Sequence, residues 1–272
     1  MFKIGISINK SKMTEQFFDE CAKCGVNCIE LSPSAADNEG LDFSGISAAI
    51  RSRDIEVWSY HLPFLPFEEL DISRPELAKH SVEYLSGLIR RAADAGIRNY
   101  VIHSSGEPID EGDRPIRMKT AKESLYKLAE VAAEGGGRLL VENLPRTVLG
   151  KSSNEMLELL SAHPSLVAVF DTNHLLGEDS VHFIKALGNR IVSTHVSDYD
   201  FIDERHLLPG EGKADFYAMA KALHDVGYEG PWLYEIAFGN TKNITRSRTL
   251  NAYDIVTNAK EIFESKPLTV IK

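Results

Sequence analysis

What most constrains this chain is an alternation: eight short β-rich runs, separated by helical patterns, from one end to the other. The runs are FKIGISI (2–8), NCIELS (27–32), IEVWSYHL (55–62), RNYVIHSS (98–105), RLLVENL (138–144), LVAVFDT (166–172), IVSTHVS (191–197) and PWLYEIA (231–237). Helical patterns fall over 75–95, 114–134, 153–162, 181–187, 215–226 and 250–264, and Cys21 and Cys24 lie late in a further amphipathic stretch. Ser73, Ser153 and Asp215 stand where helix N-caps are expected. Apolar strands separated by helices imply a parallel sheet covered by those helices. The 272 residues divide into about 34 per unit, a fitting size for strand, loop, helix and return turn. No linker or low-complexity tract marks a boundary. The expectation is an α/β protein, a single (β/α)8 TIM barrel spanning 1–272.

Charge narrows the partners. With 30 Lys and Arg against 40 Asp and Glu, the net charge is −10, and such a surface repels a phosphate backbone. Basic residues such as Arg51, Arg53, Arg90, Arg91, Arg246 and Arg248 are scattered, and the loops after strands six to eight read as short. Nucleic acid is therefore disfavoured. No run reaches the roughly 18 apolar residues that a spanning helix needs, so no membrane is expected. The start, MFKIGISINK, moves straight into a strand rather than a leader, and the expected location is cytoplasmic. Cys21, Cys24 and Cys28 do not make a disulfide framework, and the CxxC reads as small buried helix residues.

Six ionisable residues fall at or near the ends of consecutive strands: His61, His103, Glu142, Asp171, His195 and Glu235. Their spacings are 42, 39, 29, 24 and 40 residues, each near one βα repeat. The C-terminal ends of barrel strands converge on the mouth, so residues distant in sequence become neighbours there. Each sits among apolar residues, where an ionisable group is costly unless it is paired, hydrogen-bonded or bound to metal. Glu142, Asp171 and Glu235 bring three negative charges together, which a divalent cation offsets best. Carboxylates with an imidazole suit a hard or borderline ion; Mn²⁺ is the leading choice, with Zn²⁺, Co²⁺ and Mg²⁺ as alternatives. His174, three residues beyond Asp171, can reach substrate or a second ion. The segment ERHLLPGEGKADF (204–216) permits a tight loop over the mouth and carries Arg205, His206 and Lys213. Trp58, Tyr60, Leu62, Phe64, Phe67 and Phe238, at or just after strand ends, are candidates to wall a small pocket.

VENL, FDTNH, THVSD, RHLLPGEGKADF and YEI, in this order, resemble the xylose-isomerase-like TIM-barrel superfamily, over essentially the whole chain. That group holds sugar isomerases and epimerases, inosose dehydratase-like enzymes and the endonuclease IV-related apurinic-site nucleases. The resemblance implies that Glu142, Asp171, His195 and Glu235 hold one divalent metal ion. It also implies that Glu142 and Glu235 are the catalytic pair that moves protons, and that His61, His103, His174, Arg205 and His206 face the substrate. The nuclease members use the same positions, with further histidines and an acid, to hold three zinc ions. His61, His103, His174 and His206 stand at those further places, with Glu204 where the nuclease has an aspartate.

The expected activity is a divalent-metal-dependent sugar or sugar phosphate isomerase/epimerase. A metal on the carbonyl and adjacent hydroxyl acidifies the C–H between them, and a glutamate removes that proton to give an enediolate. Return of the proton to the other face or the neighbouring carbon completes the reaction. Loss of a β-hydroxyl from the same enediolate gives an inosose dehydratase-like lyase, and an apurinic-site nuclease with a multi-zinc site is the other alternative. The expected partner is a small carbohydrate, and a homo-oligomer is compatible with the sequence.

Overall fold

A computed structural model of the chain describes residues 1–64, 66, 69–242 and 244–271. Eight strands follow in chain order: β1 (Ile4–Ile8), β2 (Cys28–Leu31), β3 (Glu56–His61), β4 (Asn99–Ile102), β5 (Arg138–Glu142), β6 (Val167–Asp171), β7 (Ile191–His195) and β8 (Trp232–Tyr234). Helices α1 (Glu15–Cys24), α2 (Phe43–Arg51), α3 (Ala78–Asp94), α4 (Arg114–Glu134), α5 (Ser153–Leu160), α6 (Ser180–Leu187), α7 (Phe216–Asp225) and α8 (Ala252–Phe263) alternate with them. Neighbouring strands pair in parallel, β1 with β2 and β8, and onward in sequence to β7. A parallel bridge between Val196 and Tyr234 brings β7 to β8, with the Val196 N–H on the Leu233 carbonyl at 2.7 Å. This is a single (β/α)8 barrel.

Both faces of the strands are covered, which is why β1, β2, β4 and β8 are buried at every residue. Side chains alternate along a strand, so those two before an inward-facing strand-end residue also face the barrel axis. Val101, Leu140 and Val169 occupy those places and form a small apolar cluster beneath the mouth. The larger core lies between the sheet and the helices. It includes Cys21, whose thiol burial pushes up to about 12, an environment for an inert side chain.

Helix boundaries correct two sequence expectations. Ser73 does not cap α3, because its hydroxyl donates to the buried Asp71 carboxylate at 2.7 Å and the helix begins only at Ala78. For α5 the cap is Ser152, which accepts the Glu155 N–H, while the Ser153 hydroxyl donates to Glu178. Asp215 caps α7 as expected, accepting from the Ala218 N–H at 3.0 Å. Helix α2, FSGISAAIR, escapes the patterns above because one glycine and two serines weaken its helical signal. It starts on the Asp42 carboxylate, which accepts the Gly45 N–H. At the other end of the chain α8 begins in a capping box, with Asn251 and Asp254 each accepting the other's N–H. Asn251→Ala should lower the unfolding free energy by about 1 kcal/mol, read as a lower urea midpoint at unchanged slope.

The loops after β7 and β8 cover 196–215 and 235–251, longer than the sequence suggests. They are tied down internally. The Asp198 carboxylate accepts N–H bonds from Tyr199, Gly210, Gly212 and Ala214. Gly212 must be glycine at this approach, since a Cβ there would lie 2.4 Å from the Asp198 carboxylate and from the Tyr199 carbonyl. Arg246 and Glu211, both side chains fully buried, pair at 2.6 Å and join one loop to the other. Among the described residues, no helix is long and apolar enough to cross a membrane.

Candidate functional site

The strand ends deliver the predicted residues to one place. His61, Glu142, Asp171 and His195 are the last residues of β3, β5, β6 and β7, and His103 and Glu235 directly follow β4 and β8. Potential ligand atoms of Glu142, Asp171, His195 and Glu235 all lie within 4.8 Å of one another. Three further sets meet the same limit: His61–His103–Glu142, His174–Glu204–His206 and His61–His195–Glu235. Above them opens a cavity of about 260 Å³, lined by His61, His103, Glu142, His174, His206 and Glu235 among others. Asp171 and His195 lie beside these residues, fully buried, and do not line the cavity.

Backbone carbonyls set the imidazoles. A carbonyl only accepts, so Nδ1 of His61 donates to Leu62 O at 2.9 Å, Nδ1 of His174 to Asn143 O at 2.9 Å, and Nδ1 of His206 to Glu235 O at 3.2 Å. Each ring is then left to present Nε2 to the interior. Nε2 of His61 lies 3.1 Å from Glu142 and Nε2 of His174 lies 3.1 Å from Glu204. A neutral imidazole in that tautomer turns a lone pair toward a carboxylate, which is repulsive unless a proton or a cation stands between them. His195 is turned the other way: its Nδ1 lies 3.2 Å from Glu142 and 3.1 Å from Glu235.

The electrostatics suit a cation. Burial acts to raise Glu142, yet His195 and His103 draw it well below the usual carboxylate range. Burial lifts the Asp171 carboxyl to about 7, against the pull of His174 and with Glu142 and Glu235 adding to the rise. Burial acts to lower His174 and His195, but the surrounding carboxylates raise both well above the ordinary imidazole value. Asp171 Oδ2 and His195 Nδ1 are buried without a hydrogen-bond partner among the described residues. Three carboxylates and an imidazole converging on one point, two of their atoms orphaned, fit a divalent ion of oxygen and nitrogen preference.

Not every expected residue joins the cavity. Arg205 turns to Asp200 at 2.9 Å and Asp203 at 3.6 Å, and it does not line the wall. The arginine at the wall is Arg146, held by Glu107 at 2.6 Å, Asp203 at 2.7 Å and Glu204 at 3.2 Å. Arg146 and His206 both have left-handed backbone, φ 56° and 50°, a strain that collects at functional sites. Of the aromatic candidates Phe64 lines the cavity and stacks on His103 at 4.0 Å. Tyr60 and Leu62 belong to the core, Trp58 donates to Ser193, Phe238 packs on Phe17, and Phe67 lies outside the described residues. The residue missed is Glu30 of β2, fully buried with Oε1 3.0 Å from His195 Nε2. A glutamate inside the apolar run NCIELS was the signal.

A barrel whose strand ends gather histidines and carboxylates around a small cavity defines a class of site as well as a fold. Residues 18–250 match the family described as xylose isomerase-like TIM barrel, and the chain belongs to that family. It is 25% identical over 257 residues to an inosose dehydratase of Clostridium perfringens, covering 84% of each chain. A fructoselysine 3-epimerase of Escherichia coli O157:H7 is 29% identical over 114 residues, 40% of this chain and 42% of that one. The solved structure of an L-ribulose 3-epimerase superposes with a TM-score of 0.78 at 20% identity, over 97% of this chain and 94% of that one, a likeness of fold.

Proposed function

We propose that the chain is a divalent-metal-dependent sugar isomerase or epimerase that moves a proton beside a substrate carbonyl. The observation that carries this reading is the pair Glu142 and Glu235. Both approach His195 Nδ1, at 3.2 and 3.1 Å, and both line the small cavity. Glu142, Asp171, His195 and Glu235 would hold a divalent ion, which when bound would supply Lewis-acid chemistry to a substrate carbonyl. Glu235, a quarter exposed and lining the cavity, removes the C–H proton, and Glu142, which also lines it, returns one to the enediolate. Both carboxyls are held below their ordinary range, over the opposing effect of burial, so each is ionised at neutral pH. His61, His103, His174 and His206 meet the substrate hydroxyls. A dehydratase shares the first step, the enediolate then expelling a β-hydroxyl as water.

The test is a panel of ketoses and inososes incubated with the protein in D₂O and followed by NMR. Deuterium is expected at the carbon beside the carbonyl, with or without loss of water. No exchange with any member would end the proton-transfer reading.

A second reading has its own observation, the sets His61–His103–Glu142 and His174–Glu204–His206. Ions in both would make a multi-zinc hydrolase of the apurinic-site type. Against it, Arg146 and Arg205 at the rim are already held by carboxylates, and the chain carries −10. A duplex finds little cationic surface there. Metal content of the purified protein separates the two: about one ion per chain on the first reading, about three zinc ions on the second.

A further inference from the structure

Glu30 has no part in the proton transfer just described, yet it is among the most deeply buried charged groups of the barrel. It lies on β2, across the barrel from β7. The β2–β3 register shifts between Ile29 and Glu30, so that Glu30 faces Ser59 rather than Trp58. Ser59 shares the inward face of β3 with His61, and the offset brings its hydroxyl level with Glu30, to whose Oε2 it donates at 2.6 Å. The other oxygen, Oε1, lies 3.0 Å from His195 Nε2, an ion-pair contact outside hydrogen-bond geometry, and neither atom has a hydrogen-bond partner among the described residues.

We infer that Glu30 is the positioning residue for His195: its carboxylate takes the Nε2–H, fixes the ring, and leaves the Nδ1 lone pair aimed among Glu142, Asp171 and Glu235. The inference rests on the metal reading of that group. The other three imidazoles have their remote nitrogen held by a backbone carbonyl. Only at His195, among these four, does the remote nitrogen face a carboxylate, and a charged acceptor, once the ring aligns on it, makes the stronger hydrogen bond and the more basic ligand. The four-ligand group is thus the one the fold prepares most for a cation. Ser59 completes the chain of support by occupying the oxygen that would otherwise let Glu30 rotate.

Zn²⁺ alone is the probe, titrated into chelator-stripped full-length protein against a chromophoric competitor. Glu30→Gln keeps the volume and a partner for Ser59; its tightest Zn²⁺ should bind about 10- to 100-fold more weakly than in the wild type. With Co²⁺ instead, the visible absorption of the bound ion should change shape. A purely structural Glu30 would lower the melting temperature of the stripped protein and leave both readouts alone. Ser59→Ala, which only frees the carboxylate, should weaken Zn²⁺ about fivefold, the worth of one hydrogen bond. Affinity within twofold of wild type in either folded variant overturns the inference. Failure of the wild type itself to bind Zn²⁺ would overturn the metal reading together with it.

Discussion

Glu142→Gln should reduce turnover on any substrate the wild type accepts by about 10³-fold, with little change in KM. The substitution is isosteric, so the loss is one of charge and basicity. Glu142 is 1% exposed, and its two oxygens stand within 3.4 Å of four imidazoles, those of His61, His103, His174 and His195. An amide has one accepting oxygen where the carboxylate has two, and its NH₂ end would face imidazole N–H groups. The variant loses both a proton carrier and an anionic ligand, whereas Glu235→Gln loses a group that meets only one of those rings, His195. Glu142→Gln should therefore also lower metal content, and Glu235→Gln should leave more of it in place. Turnover above a tenth of wild type in a folded Glu142→Gln would remove Glu142 from the mechanism. Circular dichroism and the melting curve supply the control for folding.

Much of this arrangement is legible in sequence because a barrel converts chain periodicity into spatial convergence. His61, His103, Glu142, Asp171, His195 and Glu235 could be placed together since each ends a strand, and strand ends of a (β/α)8 barrel share one rim. Glu30 escaped because it sits one residue before its strand ends and meets His195 in the interior rather than at the rim. A glutamate inside the apolar run NCIELS marks it, but what it faces depends on the β2–β3 register, which the composition does not carry. Arg146 and Arg205 illustrate another limit: which arginine faces the cavity is decided by the acids nearby, Asp200 drawing Arg205 away and Glu107 drawing Arg146 in. Loop length is hidden from the sequence for a related reason. The polar residues of 196–215 resemble a short surface turn, but Asp198 gathers four N–H groups and folds the segment on itself. Local propensity sees the turn, not the carboxylate beneath it.

Removing metal should abolish turnover and lower the melting temperature, and the size of that shift should depend on pH with a definite sign. Asp171 is raised in the folded chain to about 7, from an ordinary 3.8, first by burial. Between those values the metal-free folded state holds a proton that the unfolded chain has lost, so its stability falls as pH rises through that window. His195, raised by its carboxylate neighbours over the effect of burial, acts in the same direction: its contribution is full at low pH and lost as pH climbs through its folded value. The lowered Glu142 and Glu235 have the opposite sign, but their losses come in acid, as pH falls through their folded values below the ordinary carboxylate range. A divalent ion requires these ligands deprotonated and replaces the protons, so its stabilisation grows over the range in which the stripped protein weakens. With metal at about 100 times its Kd, the gain is about 2.7 kcal/mol, or about 5 °C for a barrel of this size. Melting curves of stripped and loaded protein at pH 5, 6 and 7.5 check this, the gap widening toward pH 7.5. A gap that is absent at pH 7.5, or larger at pH 5, would mean that Asp171 and His195 do not hold the ion.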